Sequence, residues 1–286
     1  MLFLFRCLGL LPLGLLHAMG WLLGWGIWLG SAAYRQRWID NTRQAGVTGF
    51  ERWASVGEAG KQMLELPRLW FGRPVRVGWE GAAHIEAALN HGQGMLFLTP
   101  HMGCFEVTAQ AYADRFGSME SGKPMTVLFR EPRKTGLMEV LKAARERPGL
   151  SSAPATLRGV RQLAMALKQG EAVGLLPDQV PPEGLGVWAP FFGRDAYTMT
   201  LSARFAQIPG TQVLLAWGER LPWGRGFVVH VHPWSEAVGE PVAERADEAA
   251  AQMNRAMEGL IRQRPAQYLW GYARYKTPRN HSSVRG

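Results

Sequence analysis

Apolar residues run almost unbroken over 2–33, where Arg6 is the only charged residue and His17 the only other ionisable side chain. A run of that length can touch or span a bilayer. Pro12 and the glycines at 9, 14, 20, 24, 26 and 30 argue against one straight spanning helix, so a tilted, broken or half-inserted segment is expected. The pattern then takes on a helical period. Over 50–69, Trp53, Val56, Met63, Leu64 and Leu66 fall among charged residues, which predicts one or two amphipathic helices, with Pro67 and Pro74 breaking the region. Beyond this, short apolar runs alternate with amphipathic ones. Strands are predicted at 95–98, 125–129, 172–176, 213–217 and 227–231, and helices at 82–90, 156–169 and 244–264, the last with Met253, Met257, Leu260 and Ile261 on one face.

Strands separated by helices imply an α/β fold, and the short loop between the last two strands makes the sheet mixed. The expected organisation is a hydrophobic membrane-anchoring segment over 1–33, a single mixed-sheet α/β domain flanked by helices over 34–278, and a frayed tail over 279–286. No internal repeat, low-complexity tract or linker interrupts it. A cleaved signal peptide is the rival reading of the first segment, but the apolar stretch is longer than an ordinary signal core.

Of the 286 residues 47% are hydrophobic, enough for a sizeable core. The formal charge of +9 and a pI near 10.0 favour an anionic partner. Arg35, Arg37 and Arg43 follow the apolar run at once, whereas Arg6 stands alone before it. The positive-inside rule then places the following domain on the cytoplasmic side, with those arginines meeting an anionic membrane surface. The two cysteines, Cys7 and Cys104, offer neither a disulfide framework nor metal-ligand spacing. The basic residues lack the arrangement of a known nucleic-acid reader, so no nucleic-acid partner is expected.

The stretch from Leu96 through Thr99-Pro100-His101-Met102-Gly103-Cys104-Phe105 to Glu106 places a histidine and a carboxylate at the end of an apolar strand. Pro100 stops the strand, His101 to Gly103 turns, and a helix begins near Phe105 with Glu106 in its first turn. A neutral imidazole there can take a proton from a hydroxyl, while a carboxylate on its other nitrogen fixes the tautomer. The plain alternative is an acidic residue favouring a helix dipole beside a capping histidine. A Gly-x-Ser-x-Gly elbow, a Walker loop and a Gly-x-Gly-x-x-Gly helix opening are all missing, which leaves nucleotide cofactors unsupported. His230 and His232 share one face of a strand without a third ligand nearby, and read as a half-exposed sheet face.

With these blocks in order, the chain to about Lys276 resembles the bacterial lipid A biosynthesis acyltransferases, the late lauroyl or myristoyl transferases of the lysophospholipid acyltransferase superfamily. The resemblance rests on the apolar start, the His-x4-acid motif, the block from Val127 through Arg130 to Pro132, and Arg158 at a helix start. It continues through Leu176-Pro177-Asp178-Gln179, Ala189 to Gly193, and Gln267 to Lys276. Cys104-Phe105 stands where the family usually has Asn-Trp, and Tyr272-Ala273 where it has His-Arg. The first departure is expected to alter the pocket wall.

The resemblance implies transfer of an acyl chain from an acyl-carrier-protein thioester to a hydroxyl of a lipid A precursor at the bacterial inner membrane, facing the cytoplasm. His101, oriented by Glu106, would be the general base, with no covalent intermediate and no metal or other cofactor. Arg130 and Arg158 are the candidate ligands of headgroup phosphates or the thioester region. Asp178 would orient one of these arginines or bind an acceptor hydroxyl, and Trp188, Phe191 and Phe192 would line an acyl tunnel. Backbone N–H groups at the helix start after His101, or a nearby arginine, would hold the oxyanion. The competing readings are an acyltransferase for another membrane lipid (lysophospholipid, glycolipid or ornithine lipid) and a catalytically inactive lipid-binding relative.

Overall fold

The computed structural model of the chain describes residues 2–117, 122–129, 140–141, 143–144 and 147–278. The apolar N-terminus forms two helices, α1 (Leu2–Gly9) and α2 (Leu13–Gly30), separated at Pro12, whose ring cannot continue the first. Of the tilted, broken and half-inserted forms expected, the segment is broken, at this proline and again at the extended Ser31 that follows α2. Gly14, Gly20 and Gly24 of α2 serve packing instead. Gly20 and Gly24 lie backbone to backbone against Gly57 and Gly60 of α4 (Gly49–Leu64), where a Cβ on Gly20 would come within 2.6 Å of the Lys61 Cα. Between them runs α3 (Ala32–Gln44), whose N-cap Ser31 accepts a hydrogen bond from the Tyr34 N–H at 3.3 Å.

The apolar run is therefore fastened to the domain. Leu13, Leu16, His17, Gly20 and Gly24 form its buried stripe, while Leu15, Met19, Leu22 and Leu29 form an exposed one. The predicted amphipathic region divides at Glu65 into α4 and α5 (Leu66–Phe71), with Pro67 in the first turn of α5.

A seven-stranded sheet follows, built from β1 (Val77–Glu80), β2 (Gly94–Leu98), β3 (Met125–Phe129), β4 (Leu150–Pro154), β5 (Ala172–Leu175), β8 (Thr211–Arg220) and β9 (Phe227–Pro233). Its order is β1-β9-β8-β2-β5-β3-β4. The five strands from β8 to β4 are parallel, β9 runs antiparallel to β8, and β1 pairs parallel to β9, so the sheet is mixed as expected.

All five residues of β2 are buried because helices cover both sides. Met95 and Phe97 pack toward α6 (Ala82–Asn90) and α7 (Phe105–Tyr112). Leu96 and Leu98 pack toward the Leu157–Lys168 and Ala246–Gln263 helices. The methionine, leucine and isoleucine face predicted for the last helix is buried there. Strands β1 and β4 and the hairpin of β6 (Gly186–Phe191) with β7 (Arg194–Met199) lay outside the predicted set. The hairpin packs on the Ala246–Gln263 helix through Asn254, whose amide donates to the Pro190 carbonyl at 2.8 Å.

Candidate active site

Two adjacent parallel strands, β2 and β5, end in register, with Leu98 opposite Leu175. Each is followed by one further residue and a proline: Thr99-Pro100 in one case, Leu176-Pro177 in the other. The prolines cannot donate to the ladder and both strands stop there. The next residues, His101 and Asp178, are then brought side by side. His101 Nδ1 donates to Asp178 Oδ1 at 2.6 Å, and the His101 backbone N–H donates to Asp178 Oδ2 at 2.9 Å.

This geometry fixes the tautomer. With its proton on Nδ1, the imidazole presents a lone pair at Nε2, and the Gln179 side-chain amide donates to it at 2.9 Å. Asp178 is 2% exposed, whereas the imidazole keeps 17% of its side-chain surface open. Burial pushes the Asp178 carboxyl up. The charge and hydrogen bonds of His101, with Arg274 behind them, outweigh that and hold it below its ordinary value. Tyr268 reaches the same carboxylate, and burial beside Asp178 keeps its phenol protonated far past the usual range. Arg274 is buried and donates to the Tyr197 carbonyl and the Thr198 hydroxyl, both at 2.7 Å.

The position next to His101 Nδ1, expected for Glu106, therefore belongs to Asp178. The reason is the register of two strands 77 residues apart in sequence. Glu106 does take its predicted place in the first turn of α7. Asp178, expected to face an arginine or a substrate hydroxyl, is turned onto His101.

The turn after His101 is tightly fastened. Gly103 adopts φ +55°, and a Cβ there would meet the Gly218 carbonyl oxygen, so glycine is required. The N–H groups of Met102, Gly103 and Cys104 donate to the carbonyls of Pro100, Gln267 and Gly218 at 2.7, 2.8 and 2.8 Å. The three N–H groups of the turn that precedes α7 are thus committed to protein carbonyls, and the first helical N–H groups are those of Phe105 and Glu106. The Gly103 carbonyl accepts from Arg220 at 3.0 Å, and Arg220 is held by Glu65 at 2.7 and 2.8 Å and by Glu58 at 2.6 Å. His17 of α2 meets the same Glu65 at 3.2 Å, so the apolar helix is tied into the cluster beneath the motif.

Cys104 belongs to this cluster and not to a pocket wall. Burial, then the neighbouring Glu65, push its thiol well above the ordinary range, which makes it an inert filler. Its neighbour Phe105 is the residue that borders His101, edge-on to the imidazole at 5.2 Å.

The other anticipated residues scatter. Arg130 lies outside the described residues. Arg158 is exposed in the first turn of the Leu157–Lys168 helix, at the end of β4. That strand is three places from β2, roughly 14 Å across the sheet. Phe191 is core. Phe192 is also buried, but borders a surface cavity of about 380 Å³ beside Trp270, and Trp188 is half exposed. The C-terminal block is a strap over the motif: the Leu269 N–H donates to the His101 carbonyl at 3.1 Å, and the Tyr272 hydroxyl accepts from the Val180 N–H at 2.9 Å. Among the described residues no group of three histidine, cysteine or acidic side chains is arranged to hold a metal.

A sequence model of the bacterial lipid A biosynthesis acyltransferases matches residues 51–277, which contain His101, Asp178, Gln179 and the strap, and the chain belongs to that family. It is 29% identical over 240 residues to the lipid A biosynthesis palmitoleoyltransferase of Escherichia coli, covering 82% of this chain and 73% of that protein. It is 27% identical over 224 residues to the lipid A biosynthesis lauroyltransferase of the same organism, covering 76% and 69%. To a lipid A biosynthesis acyltransferase of Haemophilus influenzae it is 22% identical over 260 residues, covering 86% and 77%.

Proposed function

We propose that this acyltransferase moves a fatty acyl chain from an acyl-carrier-protein thioester onto a hydroxyl of a lipid A precursor, with His101 as the general base. The observation that carries the reading is the 2.6 Å bond from His101 Nδ1 to the buried Asp178, because it leaves Nε2 as the basic nitrogen at a partly open edge. The acceptor hydroxyl gives its proton to Nε2 while its oxygen attacks the thioester carbon. The tetrahedral intermediate collapses by breaking the C–S bond, and the leaving thiolate takes the proton from Nε2. Asp178 steadies the imidazolium formed in between. Glu106, in the first turn of α7, is the second acidic side chain of the motif, and Arg158 with Arg130 attracts the phosphates of the acceptor.

The exposed apolar stripe of α2 supports docking at the inner membrane from the cytoplasmic side. Phe3 and Leu4 of α1, Phe50 of α4 and the 91% exposed Trp223 are further exposed apolar side chains available to a lipid surface. The backbone of Trp223 sits against Gly14 of α2.

The test is direct. Purified protein in mixed micelles receives an acyl-acyl-carrier protein and a tetra-acylated lipid A precursor, and mass spectrometry should show one added chain. Acyl-coenzyme A should be the poorer donor, and His101→Ala should abolish the product while keeping its fold. Acylation of lysophospholipid but not of the lipid A precursor would overturn the reading of the acceptor.

A further inference from the structure

The lone pair that must receive the substrate proton is already occupied, and its occupant is chemically suited to more than capping. Gln179 Nε2 lies 2.9 Å from His101 Nε2, about where the oxygen of an incoming hydroxyl has to sit. An acceptor cannot reach the base unless that amide moves aside. It moves on a side chain whose neighbours are fixed: Asp178 is buried against His101, and the Val180 N–H is held by Tyr272. The displaced amide nitrogen, with two N–H groups, therefore stays within about one hydrogen-bond length of the oxygen it yields to, and so beside the carbonyl carbon that oxygen attacks.

The developing oxyanion needs a donor in that place. The N–H groups of Met102, Gly103 and Cys104 are spent on protein carbonyls at 2.7–2.8 Å. Arg220 is enclosed by Glu65, Glu58 and the Gly103 carbonyl, and Arg274 by Tyr197 and Thr198.

We infer that Gln179 is a catalytic residue with two positions. It caps the base in the empty site, and on arrival of the acceptor it turns one N–H to the thioester carbonyl oxygen and holds the tetrahedral oxyanion. The electron pair of the C=O bond moves onto that oxygen as the new C–O bond forms. It returns as the C–S bond breaks, so the amide donates a hydrogen bond throughout and transfers no proton. This rests on the acyl-transfer reading of the site.

Steady-state kinetics on Gln179→Ala and Gln179→Glu tests it, with both variants checked for native circular dichroism and melting temperature. A lost oxyanion donor should lower kcat about 100-fold in each, with KM for donor and acceptor changed by no more than about twofold. The glutamate is nearly isosteric but offers no N–H when ionised, so it should not rescue. If Gln179 were only a cap, Gln179→Ala would free the base and turn over as fast as the parent or faster, and that result overturns the inference. Failure of the underlying reading looks different: the unaltered protein would transfer no acyl group, or His101→Ala would remain active. Should either variant be unstable, Gln179→Asn, whose amide is set back by one methylene, must show an intermediate kcat. Parental activity in it would again overturn the inference.

Discussion

Two histidine–carboxylate sites stand on the same sheet and are built differently. His101 gives Nδ1 to a buried aspartate and leaves Nε2 to an amide that can be displaced. His230 is gripped on both nitrogens, Nδ1 by Glu80 and Nε2 by Glu219, each at 2.9 Å, with Trp217 stacked on its ring at 4.6 Å. Glu219 is tied in turn to Arg264 at 2.9 Å. The residue types are the same, and one pair sits at a partly open edge while the other pins β1, β8 and β9 together. What separates the proposed base from a strut is the partner of the second nitrogen: a neutral amide yields to a hydroxyl, whereas a carboxylate fixed by its own ion pair keeps that nitrogen occupied.

Removing each ring breaks the comparison most sharply. His101→Ala should lower kcat by at least about 10³ with little change in melting temperature, since the ring is part-exposed and general-base catalysis alone carries factors of this order. His230→Ala should keep kcat within about twofold and instead lower the melting temperature by about 2 °C or more, because two carboxylates lose their partner. Acyl-transfer assays and thermal melts on the same preparations separate the two. Equal losses of activity would erase the distinction.

A smaller effect separates the two carboxylates near the base. Asp178→Asn replaces the acceptor of the Nδ1 proton with an amide that can stabilise the wrong tautomer, and kcat should fall about 10²–10⁴-fold. Glu106→Gln leaves the Nδ1 bond intact, and its expected loss is about tenfold or less. If the order were reversed, the orienting role would return to Glu106 through a rearrangement on substrate binding.

Sequence pattern and structure agree where the chemistry is local. The α7 start, with Glu106 in its first turn, follows from a strand, a proline and a turn within a dozen residues. The helix carrying Met253, Met257, Leu260 and Ile261 announces itself by its period. The partner of His101 was not legible in this way. Asp178 follows β5, which comes third among the strands after β2 in sequence of β3, β4 and β5 yet lies beside it, and only the sheet order reveals the contact. A trace did exist, since Leu98-Thr99-Pro100-His101 and Leu175-Leu176-Pro177-Asp178 repeat one design of a strand, a proline and a chemical group. Arg220, Glu58 and Glu65 were invisible for another reason. Charged residues on a strand and a helix read as solvated surface, and only packing of α4 beneath the motif makes a buried cluster of them.

That cluster tests whether the active turn depends on what lies under it. Arg220→Ala leaves Glu65 buried with only His17 and the Cys104 thiol beside it and releases the Gly103 carbonyl. The expected cost is about 3–5 kcal/mol of stability, read from chemical denaturation. A loss below about 1 kcal/mol would mean that the turn is held by its backbone bonds alone.

The smallest effect lies in acid, where the two histidine sites should behave alike. Burial pushes both Asp178 and Glu219 up. His101 overrides it for the first, and Arg264 with His230 for the second, so each carboxyl sits below its ordinary value, 3.8 and 4.5 respectively. The unfolded chain then binds protons that the folded one refuses, and stability rises with pH across that interval. The contribution is fully present above about pH 4.5 for Glu219 and above about 3.8 for Asp178, and is lost as the pH falls through the lower folded-state values. Melting temperature against pH should decline on the acid side in the parent protein. The decline should flatten in its upper part in Glu219→Gln and in its lower part in Asp178→Asn. Unchanged slopes in both variants would show that neither carboxyl is held ionised by its partners, and the distinction between the two sites would then rest on Nε2 alone.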